Sequence, residues 1–315
     1  MTIPAPQHRD HPGGWISTGL SWQDGRAVLG AVRGSRVHER AVAPGAEVGW
    51  LLGGPRRCTG AWLVGATERT PCPHHAVIDP AGGATQCPAC QSVDRGLALA
   101  RDQILDDGRT YLLYLAWFGE GLLKVGLTAE QRGDARLLEQ GALAYAFTAR
   151  GGLPAVRRAE LTVAASGLAR ERYKSRLKAD HWWLHGDAPH RRTVLTEARA
   201  RAHRLLDGHA VELLADRADR PVVDHVERFG LAGGAPETYR EIAGLADGAV
   251  IAGRLRPPIG KHLFLDQADG SGPLLLDTRR LTGWTLTPVA DRPSEGLILQ
   301  ERVRPPEPDT QEALF

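Results

Sequence analysis

The sequence predicts an α+β protein with an α/β core, a cysteine module, and a β-rich domain built from the N- and C-terminal segments. Three observations point there. Short apolar runs broken by Gly and Pro fill both ends of the 315-residue chain, the texture of small strands joined by turns. All four cysteines lie between positions 58 and 90. Between these regions, residues 111–167 read as strand, strand, helix, strand, helix from their apolar spacing and turn residues. At 34.0 kDa the chain is long enough for two or three units around separate cores. The expected boundaries are 1–52 for an N-terminal β-rich segment, 53–95 for the cysteine module and 96–190 for the core. A helical linker over 191–220, a C-terminal β-rich domain over 221–302 and a flexible tail over 303–315 complete the chain.

Composition narrows the function classes. Hydrophobic residues make up 42% of the chain, which fits a globular protein and not a disordered one. A net charge of +2 does not by itself mark a nucleic-acid binder. The only lysines are Lys124, Lys174, Lys178 and Lys261. With abundant Ala and Gly, that preference for Arg fits a GC-rich genome and weakens arguments from arginine counts. Residues 1–14 are polar and Pro-rich, unlike a signal peptide, and no apolar run is long enough to span a bilayer. A cytoplasmic location without membrane contact is therefore expected.

In chain order, 1–13 reads as a leader without structure. Strands follow at 16–22, 27–32, 36–42 and 48–52, with turn signals at Asp24-Gly25 and Pro44-Gly45. The cysteines come next. Cys87-Pro88-Ala89-Cys90 has the spacing with which two thiolates hold one metal from a tight turn. Zinc bound by Cys58, Cys72, Cys87 and Cys90 is the leading reading, since scattered buried thiols would not cluster and a cytosolic protein seldom forms disulfides. A redox pair at Cys87 and Cys90, or His74 or His75 in place of one cysteine, are the alternatives. A closed four-thiolate site has no open position for substrate, so its role is structural. It would staple 53–93, which has too little apolar content to fold alone.

The core begins with an aromatic-rich run at 111–117 and a shorter one at 122–127, joined by a loop holding Gly119 and Gly121. The pair predicts a β-hairpin. A helix over 130–140 should stop at Gly141, and 144–148 should form a third strand. Pro154 marks the start of a helix that carries Glu160 and ends near Gly167.

That order, with Leu112-Leu113-Tyr114 in the first strand, Lys124-Val125-Gly126 in the second, Arg136 on the first helix and Glu160 on the later one, resembles the GIY-YIG nuclease domain. The departures are specific. The first Gly is missing, Lys124 stands where the second motif has Tyr, and no Asn matches the one many members carry further on. With a cysteine module before this core and a β-rich segment after it, the whole layout also resembles the DUF2797 family, a likeness that implies no activity.

The nuclease resemblance implies a metal-dependent endonuclease acting on DNA in repair or replication. In that chemistry Tyr114 acts as base or positions the water. Arg136 grips the phosphate by a two-pronged contact. Glu160 holds Mg²⁺ or Mn²⁺ with waters completing the shell, and Lys124 adds a second cation. A non-catalytic nucleic-acid-binding protein that keeps the fold is the alternative, favoured by Lys124. An enzyme acting on RNA or on a nucleotide-like small molecule is a third. Taken without the resemblance, the same four residues read as two ordinary strand positions and a surface pair.

Downstream, 168–184 reads as a basic helix carrying Arg170, Arg172, Lys174, Arg176 and Lys178. With Arg132 these are the candidate nucleic-acid contacts, while Trp182 and Trp183 would either stack on a base or pack on the core. A further helix is expected over 196–215. Asp180, His181, His185 and His190 match no metal-site spacing and read as surface residues. Strands are expected at 250–255, 262–266, 274–277 and 284–289, and the two ends of the chain should meet in one sheet or barrel. Last, Gln311 followed by Leu314-Phe315, beyond a Pro-rich run at 305–308, resembles the short motif by which bacterial replication and repair proteins attach to the sliding clamp. In that motif the Leu and Phe fill an apolar pocket and the Gln bonds at its rim.

Overall fold

The computed structural model describes residues 14–34, 36–64, 66, 68–100, 106–207, 214–215 and 220–304. The expected leader over 1–13, and Gln311, Leu314 and Phe315 of the tail, lie outside the described residues. Helices and sheets are both present, and strands dominate.

Strands from both ends of the chain share one ten-stranded sheet. The first four are β1 (Trp15–Gln23), β2 (Arg26–Arg33), β3 (Arg36–Ala41) and β4 (Glu47–Gly53). Two short helices follow in the cysteine module, α1 (Pro88–Val93) and α2 (Arg95–Ala100). The later part of the chain supplies β10 (Thr238–Gly244), β11 (Val250–Leu255), β12 (His262–Asp266), β13 (Leu274–Asp277), β14 (Thr285–Pro288) and β15 (Ile298–Val303). Antiparallel pairs β4–β11, β4–β14 and β1–β14 knit the two ends together. Both edges are protected by charge. All six residues of β3 are exposed, among them Arg36, Glu39 and Arg40, and β15 carries Glu301 and Arg302. Such edges discourage pairing with another chain.

The core is a second, smaller antiparallel sheet. It holds β5 (Thr110–Trp117) at its centre, β6 (Leu123–Ala129) on one side and β7 (Ala144–Gly152) on the other. Beyond β7 lie the two-residue strands β8 (Leu214–Ala215) and β9 (Val223–Asp224). Every residue from Tyr111 to Trp117 is buried, because helices and loops cover both faces, and this accounts for the unbroken apolar run. On one face Tyr114, Ala116 and Phe118 pack with Leu137 of α3 (Ala135–Gln140). Tyr111, Leu113, Leu115 and Trp117 face the other way, onto α4 (Leu153–Ala165) and α6 (Ala188–Leu206). The order strand, strand, helix, strand, helix is thus observed over residues 110–165.

Two expectations are corrected. The basic stretch 168–184 is not one helix. Its first part is extended beside β6, where Val125 N–H donates to Arg170 O (3.0 Å) and Arg170 N–H donates to Leu123 O (3.0 Å), and only α5 (Ser175–Asp180) is α-helical. With strand-like spacing, alternate charges fall on one solvent-facing side, which explains a pattern that makes no helical stripe. The helix expected over 196–215 begins earlier, at Ala188, where the Asp187 carboxylate caps it by accepting from His190 N–H (2.7 Å). It ends at Leu206, and Leu214–Ala215 pairs with β7 as a strand.

The two sheets share a core. Trp22 Nε1 donates to Gly260 O (2.7 Å). A Cβ on Gly260 would lie 2.9 Å from Gly141 N, so glycine at 260 lets the β11–β12 turn touch the end of α3. Gly141 itself has φ +68°, the left-handed C-cap that stops α3. Trp182 and Trp183 are buried at 2% and 8% exposure. Trp183 stacks on Tyr239 at 5.5 Å, and Trp182 meets His262 edge-on at 5.3 Å. Such pairs contribute about 0.5–1.5 kcal/mol each beyond area burial, so these tryptophans hold the layers together and are not free to stack on a base. Among the described residues no helix is long and apolar enough to cross a membrane.

Candidate metal centre and active site

The cysteine module folds around its thiols. Cys58, Cys72, Cys87 and Cys90 are all buried, and their sulfurs lie within 4.8 Å of one another. A tetrahedral ion with Zn–S near 2.3 Å would hold sulfurs about 3.8 Å apart, and Cys72 Sγ to Cys87 Sγ is 3.9 Å. The N–H groups of Cys87 (3.2 Å) and Gly60 (3.4 Å) donate to Cys58 Sγ, as they would to a thiolate. Burial pushes the Cys58 and Cys90 thiols up. For Cys72 burial acts the same way, but the N–H groups of Ala76 and His74 and the neighbouring thiols outweigh it and bring it down to about 7. His74 and His75 are exposed and belong to no cluster of metal-binding groups among the described residues, so the set is four cysteines. Arg56, at 2% exposure, docks the module. It donates to Asp79 O (2.9 Å) and Gly82 O (2.8 Å) within it, and to Thr282 O (2.9 Å) of the large sheet.

The candidate active site lies across the β5–β6 hairpin. Tyr114 pairs with Gly126 in the ladder and Ala116 with Lys124, which puts Tyr114 and Lys124 on one face. A Cβ on Gly126 would lie 2.3 Å from Tyr114 Oη and 2.7 Å from Lys124 Nζ. Glycine is required there for both groups to converge. Lys124 is 8% exposed, donates to Val125 O (2.8 Å) and rests 5.4 Å from the centre of the Tyr114 ring. Tyr114 Oη accepts from Gln140 Nε2 (2.7 Å).

Glu160, on α4, is 5% exposed. Burial pushes its carboxyl up, while Arg157 beside it and the Lys124 charge pull it back. Arg157 Nη1 pairs with Glu160 Oε2, one helical turn away, and reaches Glu171 Oε2 at 3.4 Å. The structure therefore brings Tyr114 and Lys124 together and sets Glu160 within reach of the Lys124 charge. Arg136 stands apart from that group. Its side chain is 47% exposed, 3.9 Å from Glu139, and opens into a neighbouring cleft with Gln140 and Lys178. Arg132, Arg170, Arg172, Lys174 and Arg176 are exposed, and Lys178 is half-buried.

Sequence reasoning missed Gln140 and Arg157. Both carried a signal, four residues after Arg136 and three before Glu160, spacings that place neighbours on one helix face. The family described as protein of unknown function (DUF2797) matches residues 100–286, more than half of the chain. The chain belongs to the DUF2797 family. The DUF2797 match takes in the whole hairpin site and most of the later strands, and it begins after the four cysteines. No curated protein and no solved structure matches the chain.

Proposed function

We propose that the protein is a metal-dependent endonuclease of GIY-YIG type acting on DNA in repair or replication, with a zinc ion as a structural staple at the four cysteines. The observation that carries this reading is the convergence of Tyr114 and Lys124 over Gly126, with the buried Glu160 carboxylate within range of the Lys124 charge. A buried carboxylate within range of a fixed cation suits phosphodiester hydrolysis, where negative charge grows on the phosphate. The donor set fits a hard divalent ion such as Mg²⁺ or Mn²⁺. Arg157 occupies Glu160 Oε2, which leaves Oε1 as the protein's ligand, with waters for the remaining positions. Such an ion supplies charge neutralisation at the phosphate. Tyr114, fixed by Gln140, positions the attacking water, and Lys124 meets the developing charge.

Glu160→Ala should abolish cleavage of DNA substrates (plain, nicked, branched and single-stranded) in Mg²⁺ or Mn²⁺, with binding nearly intact. Arg136→Ala should lower the rate by about 10²–10³-fold if its guanidinium meets the phosphate. One observation favours a second reading. Arg157 and Lys124 already place positive charge beside Glu160, as a non-catalytic nucleic-acid-binding protein that keeps the fold would have it. Wild-type protein that binds DNA yet cuts none of these substrates with either metal decides for that reading.

The tail motif extends the proposal to a tether on the bacterial sliding clamp. Two large apolar side chains at Leu314-Phe315, preceded by Gln311, suit a partner's groove, where few buried residues carry most of the affinity. Burying both gives roughly 3–5 kcal/mol gross, less the cost of ordering the tail, which fits a micromolar contact. Full-length protein should bind the clamp of its own organism, and Leu314→Ala with Phe315→Ala should remove that binding without altering cleavage by the isolated protein. No binding by the unaltered protein withdraws the tether and leaves the nuclease reading in place.

A further inference from the structure

The cleft that holds Arg136 is lined by residues from distant parts of the chain. Arg136 and Gln140 come from α3, Ser175 and Lys178 from α5, and Lys261 and Arg279 from loops between strands of the large sheet. Four of these six are cations. The carboxylate on the wall, Glu139, is already engaged by Arg132 at 2.8 Å and Arg136 at 3.9 Å. Asp277 pairs with Arg279 and lies 4.0 Å from His262. Among the described residues no carboxylate forms an ion pair with Lys178 or Lys261. Lys178 donates to Gln140 O at 3.4 Å and sits 3.7 Å from the centre of the Phe118 ring. Lys261 makes no side-chain hydrogen bond or ion pair among the described residues.

Holding uncompensated cations together in a half-buried cleft is unfavourable without an anion to answer them. The strain shows in the groups themselves. Burial, then Lys124, Arg136 and Arg279, push Lys178 down to about 7. Burial, helped by Arg136, Arg279 and Arg132 and opposed by Glu139, lowers Lys261 as well. The geometry points to a binding site for a phosphate monoester dianion in the cleft between α3, α5 and the β11–β12 turn, with Lys178, Lys261, Arg136 and Arg279 as its donors. Two facts set the size and charge of the ligand. The cavity measures about 190 Å³, below the ~300–1,000 Å³ of pockets that enclose drug-sized ligands, so it takes a phosphoryl group and leaves the rest of the molecule outside. The excess of cations over Glu139 favours two negative charges over the single one of a phosphodiester. Arg136 offers the planar fork that matches phosphate oxygens, and the two lysines add point charges. The Gly141–Gly260 contact fixes one wall against the other, so little ordering is needed on binding.

A phosphoryl dianion has two sources here, free phosphate or the phosphorylated end of a nucleic-acid strand. The site stands whether or not the hairpin hydrolyses DNA. The test uses full-length protein, with inorganic phosphate as one probe. The other is a single-stranded oligonucleotide with a 5′-phosphate, a 3′-phosphate or neither. Millimolar phosphate should raise Tm beyond potassium chloride of equal ionic strength. An end-phosphorylated strand should bind at least about tenfold tighter than its unphosphorylated twin if strand ends are the source. Lys261→Gln removes an unpaired cation, so that variant should fold normally and lose both effects; Lys178→Gln should do the same. Phosphate stabilisation without end preference supports the site and assigns it to free phosphate. No stabilisation beyond chloride together with no end preference overturns the site, and so does unchanged binding in both variants. Cleavage assays on the same variants report separately on the hairpin.

Discussion

Chelating the zinc proposed at Cys58, Cys72, Cys87 and Cys90, or replacing Cys87 with Ser, should unfold the cysteine module while the two sheets persist. The module has little else to hold it. Its buried cluster consists of the four cysteines with Ala61 and Ile78, flanked by Leu63 and Ala76. A cluster of that size buries too little apolar surface to order so long a stretch of loop by itself. A structural zinc contributes about 10–16 kcal/mol in comparable small modules. Elemental analysis should find about one zinc per chain. After chelation, amide exchange should speed up across residues 57–94, beginning with the N–H groups of Cys87 and Gly60 that face Cys58 Sγ. Loosening should spread to Arg56, since its bonds to Asp79 O and Gly82 O lie inside the module while that to Thr282 O lies outside it. Metal-free protein with unchanged exchange and unchanged Tm would remove the staple from the account.

How much could be read in the sequence depended on whether the signal was local. The hairpin was legible because both faces of β5 are covered, which leaves an apolar run that no surface strand would carry. The four cysteines were legible from spacing alone. β11, β12 and β13 were placed at their observed limits because Pro and Gly bracket short apolar runs. β10 and β15 were missed for physical reasons. In β10 the register shifts between Ile242 and Gly244, which breaks the alternation, and Arg240 and Glu241 interrupt its apolar residues. β15 is an edge strand with nearly every side chain exposed, so it has no buried face to betray it. The phosphate cleft left no trace at all in the sequence. Lys261 and Arg279 meet Arg136 across more than 120 positions, and only the docking of the two sheets brings them together.

Arg157→Ala should be the most destabilising single change at the hairpin site, at about 3 kcal/mol, and a divalent ion should restore part of the loss. Breaking a buried ion pair by removing one partner costs ~3–5 kcal/mol, because the other charge is left buried and uncompensated. Arg157 is 24% exposed and Glu160 6%, so the lower end of that range applies. The remaining neighbours cannot take over. Lys124 favours the Glu160 charge from a distance, and Glu171, which loses its own contact with Arg157, opposes it. The sign of the pH dependence follows. Burial raises the folded-state pKa of Glu160 above its ordinary value, and losing Arg157 raises it further. A carboxyl raised on folding destabilises the protein at pH values above that folded pKa, and the penalty fades as pH falls through it. The gap between wild type and Arg157→Ala should therefore be widest near neutral pH and narrow towards acid. Glu160→Gln placed on Arg157→Ala should close most of the gap at neutral pH, because a neutral amide needs no counter-ion. Mg²⁺ or Mn²⁺ should raise the Tm of Arg157→Ala more than that of wild type, since removing the arginine frees Oε2 and leaves the whole carboxylate to the ion. A gap that is flat with pH and indifferent to both metals would show that Glu160 is neither charged nor a metal ligand in the folded protein. The hairpin would then be left to bind nucleic acid without cutting it.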